Sequence, residues 1–332
     1  MFDFLYTRCR NCGTTSKDAS LIYIGKKKGT DVYLCEVCLA RKSQTEKTVK
    51  EKAGISWNEL VTPENFNEYI GQESIKKELN TMMAATKKHG IPVQHCLFSG
   101  SFGLGKTTLA KIFADKVGKW DIVTAVNIKD EKDFPMKPVV IVDEIHTIRD
   151  EEWLLGLMDR GNQTILGATT TAGSLSGPLR SRFVSLVLSP YNEEELARMV
   201  MGAANNLDYK CPEYVAMEVA KRGKTVARIA LFLFKRVYDR IILNEKEVTP
   251  EMLDGWFDEM KIDGNGLDNA DRAYISCLTD KPTGLQNLSA MTGLDRITIE
   301  ETIEPYLLVR GFVRRTPRGR ILGDKKSLGV WA

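Results

Sequence analysis

The chain has 332 residues, 43% of them hydrophobic and 27% charged, and its 47 Lys and Arg against 44 Asp and Glu give a formal charge of +3. At roughly 150 residues per domain this allows two or three folded units with a sizeable core, which excludes wholesale disorder and collagen-like or coiled-coil composition. So small a net charge does not by itself imply a polyanionic partner, and neither an 18-residue apolar run nor a signal-like order in the opening MFDFLYTRCRNC is seen, so a cytoplasmic protein with no membrane partner is expected.

Four of the seven cysteines, Cys9, Cys12, Cys35 and Cys38, form the pattern C-x2-C-x22-C-x2-C. Between the pairs, LIYI (21–24) and DVYL (31–34) flank the basic turn Gly25-Lys26-Lys27-Lys28-Gly29, which predicts a hairpin joining two knuckles. Four thiolates so arranged suit tetrahedral Zn²⁺, and residues 1–42 read as a zinc ribbon, with a redox dithiol pair as the alternative. A head of about 40 residues has too little core to fold on its own, so metal would supply much of its folding energy, in a structural rather than catalytic role. The lysine turn offers a contact to nucleic acid or to an unknown protein partner, or is simply solvated. Cys96, Cys211 and Cys277 stand alone and read as small core residues. The polar stretch 43–58 reads as a linker.

Over residues 59–188 helical stretches alternate with the apolar runs HCLFS (95–99), DIVTAV (121–126), VVIVD (139–143), TILGA (164–168) and VSLVL (184–188), as expected of a parallel α/β sheet covered on both faces. Gly100-Ser-Phe-Gly103-Leu-Gly105-Lys106-Thr107 follows the first run and opens a helix, the context of a P-loop, in which backbone N–H groups cradle phosphate, Lys106 pairs with it and Thr107 ligates Mg²⁺. The third run ends in Asp143-Glu144, two carboxylates at the C-terminal end of a buried strand, where Asp143 can hold the metal and Glu144 can polarise water. Residues 189–263 carry helical periodicity alone. Residues 264–332 read as helices followed by a basic hairpin, LLVRGFVRRTPRGRILG, in a stretch with seven basic residues (Arg310, Arg314, Arg315, Arg318, Arg320, Lys325, Lys326) against Asp324.

These residues resemble the AAA+ ATPases and, among them, the RuvB-type Holliday-junction branch-migration motors. The resemblance rests on Glu68-Tyr-Ile-Gly-Gln72, FSGSFGLGKTTLA (98–110), VDEIH (142–146), GATTTAGSLSGPLRSRF (167–183), Arg228-Ile-Ala230 and TIEPYLLVRGFVRRTPRGR (302–320). It implies an α/β AAA+ P-loop core, a helical lid and a C-terminal winged helix, with ATP as cofactor. It also implies that Val61, Thr62, Tyr69, Ile70, Thr108 and Tyr191 join Gly100, Gly103, Gly105 and Lys106 around the nucleotide. Thr170 resembles a sensor of the γ-phosphate, Arg228 a second sensor in the lid, and Arg182 an arginine finger reaching a neighbouring subunit's ATP, with Arg180 as second candidate. A finger used in trans implies a homo-oligomeric ring, hexameric in the family, and Arg296, Arg315, Arg318 and Arg320 are similar to positions that contact DNA.

Three departures stand out. Only 19 residues, Ile145 to Gln163, separate Glu144 from the next strand, enough for a helix near 151–159 but not for the family's RuvA-docking β-hairpin, which puts recruitment by RuvA in doubt. The Arg-Pro near the nucleotide base is here Thr62-Pro63, and GKTVAR is longer than the family's GTPR. The expected activity is an ATP-driven motor on duplex or junction DNA. A clamp-loader or helicase-loader switch is the alternative, and a DNA-binding adaptor shaped by ATP is a further one.

Overall fold

A computed structural model describes residues 21–27, 30–35, 56–244 and 247–323. The chain divides into two compact units, residues 1–60 with 241–247 and residues 61–240 with 248–332.

In the first unit, β1 (Leu21–Lys27) pairs antiparallel with β2 (Thr30–Cys35), and the register shifts between Tyr23 and Gly25. The expected hairpin is present, but its turn is shorter than the sequence implied. One extra residue accommodated as a bulge lets both strands run on, so that Lys26 and Lys27 end β1 and Lys27 lies opposite Thr30. Cys35 closes β2 and is buried. Cys9, Cys12, Cys38, Lys28 and residues 43–55 of the expected linker lie outside the described residues. Helix α1 (Trp57–Val61) begins earlier than the boundary expected at 58/59, because Ser56 and Glu59 form a reciprocal cap. The Ser56 N–H donates to Glu59 Oε2 at 2.8 Å and the Glu59 N–H donates to Ser56 Oγ at 3.2 Å.

The second unit is built on a five-stranded parallel sheet of β3 (Cys96–Ser99), β4 (Trp120–Thr124), β5 (Val139–Asp143), β6 (Thr164–Thr169) and β7 (Val184–Val187), in the order β4-β5-β6-β3-β7. The three inner strands are buried almost throughout while the edges alternate, which is why β5, β6 and β3 read as continuous apolar runs. β4 stops at Thr124, two residues short of expectation, where Ala125–Asn127 turn into a 3₁₀ helix. Helices α2 (Glu73–His89), α3 (Lys106–Val117), α4 (Glu152–Arg160) and α5 (Gly177–Ser181) belong to this layer. On one side Leu154, Leu157 and Met158 of α4 pack with Val140, Val142 and Ile165 of the sheet. Cys96 is buried, with its thiol pushed up to about 12 by burial and by Glu78. Cys211 and Cys277 are only partly buried, Cys277 packing against the core of the last segment, so Cys96 alone of the three is fully buried.

The lid is all-helical as expected: α6 (Glu193–Asn206), α7 (Glu213–Lys221), α8 (Ala227–Leu243) and α9 (Pro250–Glu259). α6 starts at a capping box between Asn192 and Glu195, and α9 at Thr249 followed by Pro250. The last segment holds α10 (Asn269–Ser276), α11 (Leu285–Thr292), a π turn at Thr298–Ile303 running into α12 (Glu304–Val309), and the hairpin β8 (Val313–Thr316) and β9 (Gly319–Leu322). The hairpin is shorter than the basic string suggested, because Leu307 to Val309 finish α12, whose Leu307 enters the core with Tyr274, Leu288 and Phe312 while Val309 stays exposed.

Beneath the hairpin Glu304 is fully buried and accepts from five donors: Tyr274 Oη at 2.5 Å, Arg315 Nε and Nη2 at 2.8 and 2.5 Å, and Arg320 Nε and Nη2 at 2.8 and 3.4 Å. Burial opposes its ionisation, but the hydrogen bonds from Arg320, Tyr274 and Arg315 outweigh it and hold the carboxyl below its ordinary value. Glu304→Gln removes the charge that matches Arg320, itself only 14% exposed, and is expected to cost about 3 kcal/mol or more in urea unfolding. The wild-type advantage is present above the unfolded carboxylate range near about 4.3 and fades as pH falls through the lower folded value. An equal stability of the two chains at neutral pH would refute this account of the hairpin.

Candidate nucleotide site

After Ser99 the chain turns through Gly100, Gly103 and Gly105, all at positive φ, before α3 starts at Lys106. Gly105 occupies the N-cap and no side chain caps the helix, so its first amides are open to an anion. Gly103 is at φ 71°, and a Cβ there would sit 2.6 Å from Val226 Cγ1 and 3.0 Å from Arg228 Cβ. The lid therefore rests directly on the loop, with the Arg228 N–H donating to Gly103 O at 3.2 Å while its side chain is exposed. Two buried tyrosines support the loop from the other side. Tyr191 Oη donates to Leu104 O at 2.8 Å and lies 3.1 Å from Tyr69 Oη, which reaches Leu104 O at 3.2 Å. Gln72 fixes this segment, its side-chain amide exchanging two hydrogen bonds of 2.7 and 3.0 Å with the Ser189 backbone.

Lys106 is 7% exposed and its Nζ donates to Gly100 O and Ser101 O, each at 2.9 Å. Burial lowers its pKa, Glu144 and Asp143 favour the charged form, and Arg228 adds to the lowering. Thr107 Oγ1 donates to Asp143 Oδ1 at 3.0 Å. The carboxylates thus lie beside the P-loop although their strand does not pair with β3: β6 lies between β5 and β3. The end of β6 is thereby inserted between the two motifs, which places Thr170, just beyond it, at the same sheet edge.

Glu144 is a non-glycine residue in the left-handed region, at φ 49°. Its Oε2 is buried and accepts no hydrogen bond from the described residues, and His146 Nδ1 lies 3.3 Å away. The same ring nitrogen is 3.0 Å from Oγ1 of Thr169, whose side chain is fully buried. Neither His146 nor Thr169 was singled out as a site residue by sequence, although both sit inside strings that carry the resemblance.

Arg182 is at the other end of the sheet. β3 and β7 run parallel with Cys96 opposite Val184 and Ser99 opposite Val187, so Arg182, just before β7, and the loop following β3 are separated by the strand length, about 13 Å for four residues. Its guanidinium makes a bidentate pair with Asp159, Nε to Oδ1 and Nη2 to Oδ2, both 2.7 Å, and Nη1 donates to Pro178 O at 3.0 Å. Arg180 is exposed. Val61 and Ile70 are half-buried and Thr62 exposed, on the segment around Tyr69, and Thr108 lies in the first turn of α3. Of the arginines expected at DNA, Arg296 and Arg318 are exposed and make no ion pair with the described residues, whereas Arg315 and Arg320 are engaged by Glu304.

A P-loop backed by two strand-end carboxylates, a helical lid that lays an arginine against the loop, and a winged helix define an ATPase of the AAA+ class. Residues 61–160 match the RuvB P-loop domain of Holliday junction DNA helicases, 191–263 the RuvB AAA lid domain, and 264–328 the RuvB C-terminal winged helix domain. The Holliday junction branch migration complex subunit RuvB of Campylobacter jejuni strain RM1221 is 37% identical over 298 residues, covering 79% of this chain and 89% of the relative. That of Fusobacterium nucleatum is 34% identical over 306 residues, covering 79% and 90%. The solved Thermotoga maritima RuvB branch migration motor superposes with a TM-score of 0.75 at 34% identity, over 82% of this chain and 99% of that one. The chain belongs to the RuvB family of ATP-dependent DNA motors.

Because Gly103 has both a left-handed backbone and a lid residue where a side chain would go, Gly103→Ala is expected to weaken ATP binding about tenfold or more, as about 1–3 kcal/mol of strain predicts. Val226→Ala in the same chain should recover part of the loss. Titration with a fluorescent ATP analogue reads both, and unchanged affinity in the single variant would contradict the packing described.

Proposed function

We propose that this chain hydrolyses ATP at the interface between subunits of a homo-oligomeric ring, hexameric as in its family, and uses that energy to move duplex or junction DNA in recombination or repair. The observation that carries the reading is the placement of Arg182 at the end of the sheet opposite its own P-loop, which suits a guanidinium given to the next subunit. Release from Asp159 would free it to do so. Within one subunit, the loop amides and Lys106 bind phosphate, Thr170 and Arg228 sense it, and Glu144 takes the proton of the attacking water. Thr107 and Asp143, hard oxygen donors 3.0 Å apart, would hold Mg²⁺. The bound ion neutralises phosphate charge. DNA is met by Arg296 and Arg318, with Arg315 and Arg320 shaping the hairpin that carries Arg318.

The interval between β5 and β6 holds a 3₁₀ turn and α4, and no strand. We therefore propose that the ring is brought to DNA by something other than hairpin docking to RuvA, through direct loading or through an unidentified protein bound by the N-terminal unit. The same feature is what favours the loader alternative, a switch that hydrolyses ATP without moving strands unaided. We further propose that Cys9, Cys12, Cys35 and Cys38 bind one structural Zn²⁺; the burial of Cys35 at the end of β2 supports this.

Lys106→Ala and Glu144→Gln should each abolish DNA-stimulated ATPase activity. An Arg182→Ala chain and a Glu144→Gln chain, inactive alone, should regain turnover when mixed, since one mixed interface holds both intact groups. No recovery in co-assembled rings would rule out hydrolysis between subunits, and junction-migration assays separate motor from loader. Elemental analysis of the purified full chain should give one zinc per chain, lost in the Cys9→Ser/Cys38→Ser variant with ATP hydrolysis retained; a zinc-free wild type would end the ribbon assignment.

A further inference from the structure

The connection from α7 to α8 contains two consecutive non-glycine residues in the left-handed region, Lys224 at φ 50° and Thr225 at φ 61°. Each costs on the order of 1–3 kcal/mol, more readily for the β-branched Thr225, and persists only where the surroundings over-determine it. Here they do so from two directions. Toward the nucleotide loop, Thr225 O accepts the N–H of Tyr191, whose hydroxyl bonds Leu104 O. The next residue, Val226, fills the space over Gly103. Toward the winged helix, the Lys224 side chain is 12% exposed and its Nζ pairs with Asp271, 2% exposed, and with Asp268 at 3.1 Å. Both carboxylates are already fixed by the capping box that starts α10: Asp268 Oδ1 accepts the N–H groups of Ala270 and Asp271, and Asp271 Oδ2 accepts that of Asp268. Beside this clamp a cleft of about 60 Å³ is lined by Phe102 and Leu104 of the loop, Val226 and Ile229 of the lid, and Pro305 and Tyr306 of α12. The phosphate loop, the second-sensor helix and the DNA-binding segment thus converge on one strained dipeptide.

We infer that Lys224 is a positioning residue that couples nucleotide state to DNA binding: its ion pair to Asp268 and Asp271 holds the Lys224-Thr225 backbone in the left-handed form that sets Val226 and Arg228 against Gly103. This rests on the motor reading above. A winged helix drawn away by DNA withdraws the carboxylates, the dipeptide relaxes, and the pressure of Val226 on Gly103 changes; phosphate in the loop acts in the reverse direction through the same contacts. Coupling of this kind is reciprocal, so one factor describes the effect of nucleotide on DNA affinity and of DNA on nucleotide affinity.

The test uses the full chain, a fluorescent duplex and ATPγS. Duplex affinity is measured with and without ATPγS, and ATPγS affinity with and without duplex, for wild type, Lys224→Met and Lys224→Arg. Wild type is expected to show one factor of about fivefold or more in both directions. In Lys224→Met that factor should fall below about twofold, with ATPγS affinity measured alone shifted to the value wild type shows in the presence of duplex, and Lys224→Arg should restore both. Because Lys224→Met leaves the buried Asp271 carboxylate unpaired, Lys224→Met/Asp271→Asn serves as the folded comparison if the single variant melts early. A wild-type factor retained in the folded Lys224→Met or double variant overturns the inference and leaves the motor reading standing. Absence of any coupling in wild type, together with ATPase activity indifferent to DNA, overturns both.

Discussion

Everything the site does depends on a short length of backbone held in one shape. A phosphate cradle works through N–H groups that point inward without side-chain help, so its geometry has to be imposed from outside the loop. In this chain the support comes from three directions: the two tyrosine hydroxyls under Leu104, the ammonium of Lys106 bound to the loop carbonyls, and the lid pressed on Gly103 through Val226 and Arg228. Removing the side chain at Gly103 is what admits the third support. The lid is therefore part of the loop's mould, and a movement of the lid is a change in the shape offered to phosphate.

The order of the strands adds a second constraint. Placing β6 between β5 and β3 puts its polar end, Thr169 with Thr170 just beyond, at the sheet edge between the ends of those two strands, where Asp143 already meets Thr107 of the P-loop. From there the Thr169 hydroxyl meets His146, whose ring nitrogen is also close to the Glu144 carboxylate. The Glu144 carboxylate is thus kept on a strained backbone position beside a ring that can bond either it or the threonine. Such strain at one residue is tolerated because the strand behind it is fully buried and cannot shift.

Much of this was legible before any coordinates. Strand runs, P-loop, paired carboxylates and helical lid are written in local pattern: apolar continuity where both faces are covered, and glycine at positions that need positive φ. What local pattern does not encode is which strands are neighbours and which charges meet. Nothing near Glu304 in the chain announces that Tyr274, Arg315 and Arg320, 30, 11 and 16 residues away, converge on its carboxylate. The strand order, the Lys224 clamp and the Asp159 pair of Arg182 are of the same kind, because each joins residues the sequence keeps apart.

The arginines of the winged helix show what that difference means for function. Counted along the chain they form one basic run, and a run of that kind suggests equal readiness to meet phosphate. In space they divide. Arg315 and Arg320 face each other across the hairpin and are drawn down onto one buried carboxylate, whereas Arg318 at the turn and Arg296 at the head of the helix are exposed. Of the pair tied to Glu304 only Arg320 is largely covered, at 14% exposed against 49% for Arg315, and the shared carboxylate stiffens the ribbon that presents Arg318. Screening by salt should then fall on Arg296 and Arg318 most, on Arg315 in part and on Arg320 least, since solvent ions reach exposed charges and leave a covered ion pair largely untouched. A basic sequence therefore sets an upper limit on the phosphates a surface can meet, and the acidic residue beneath it decides how far below that limit the surface works.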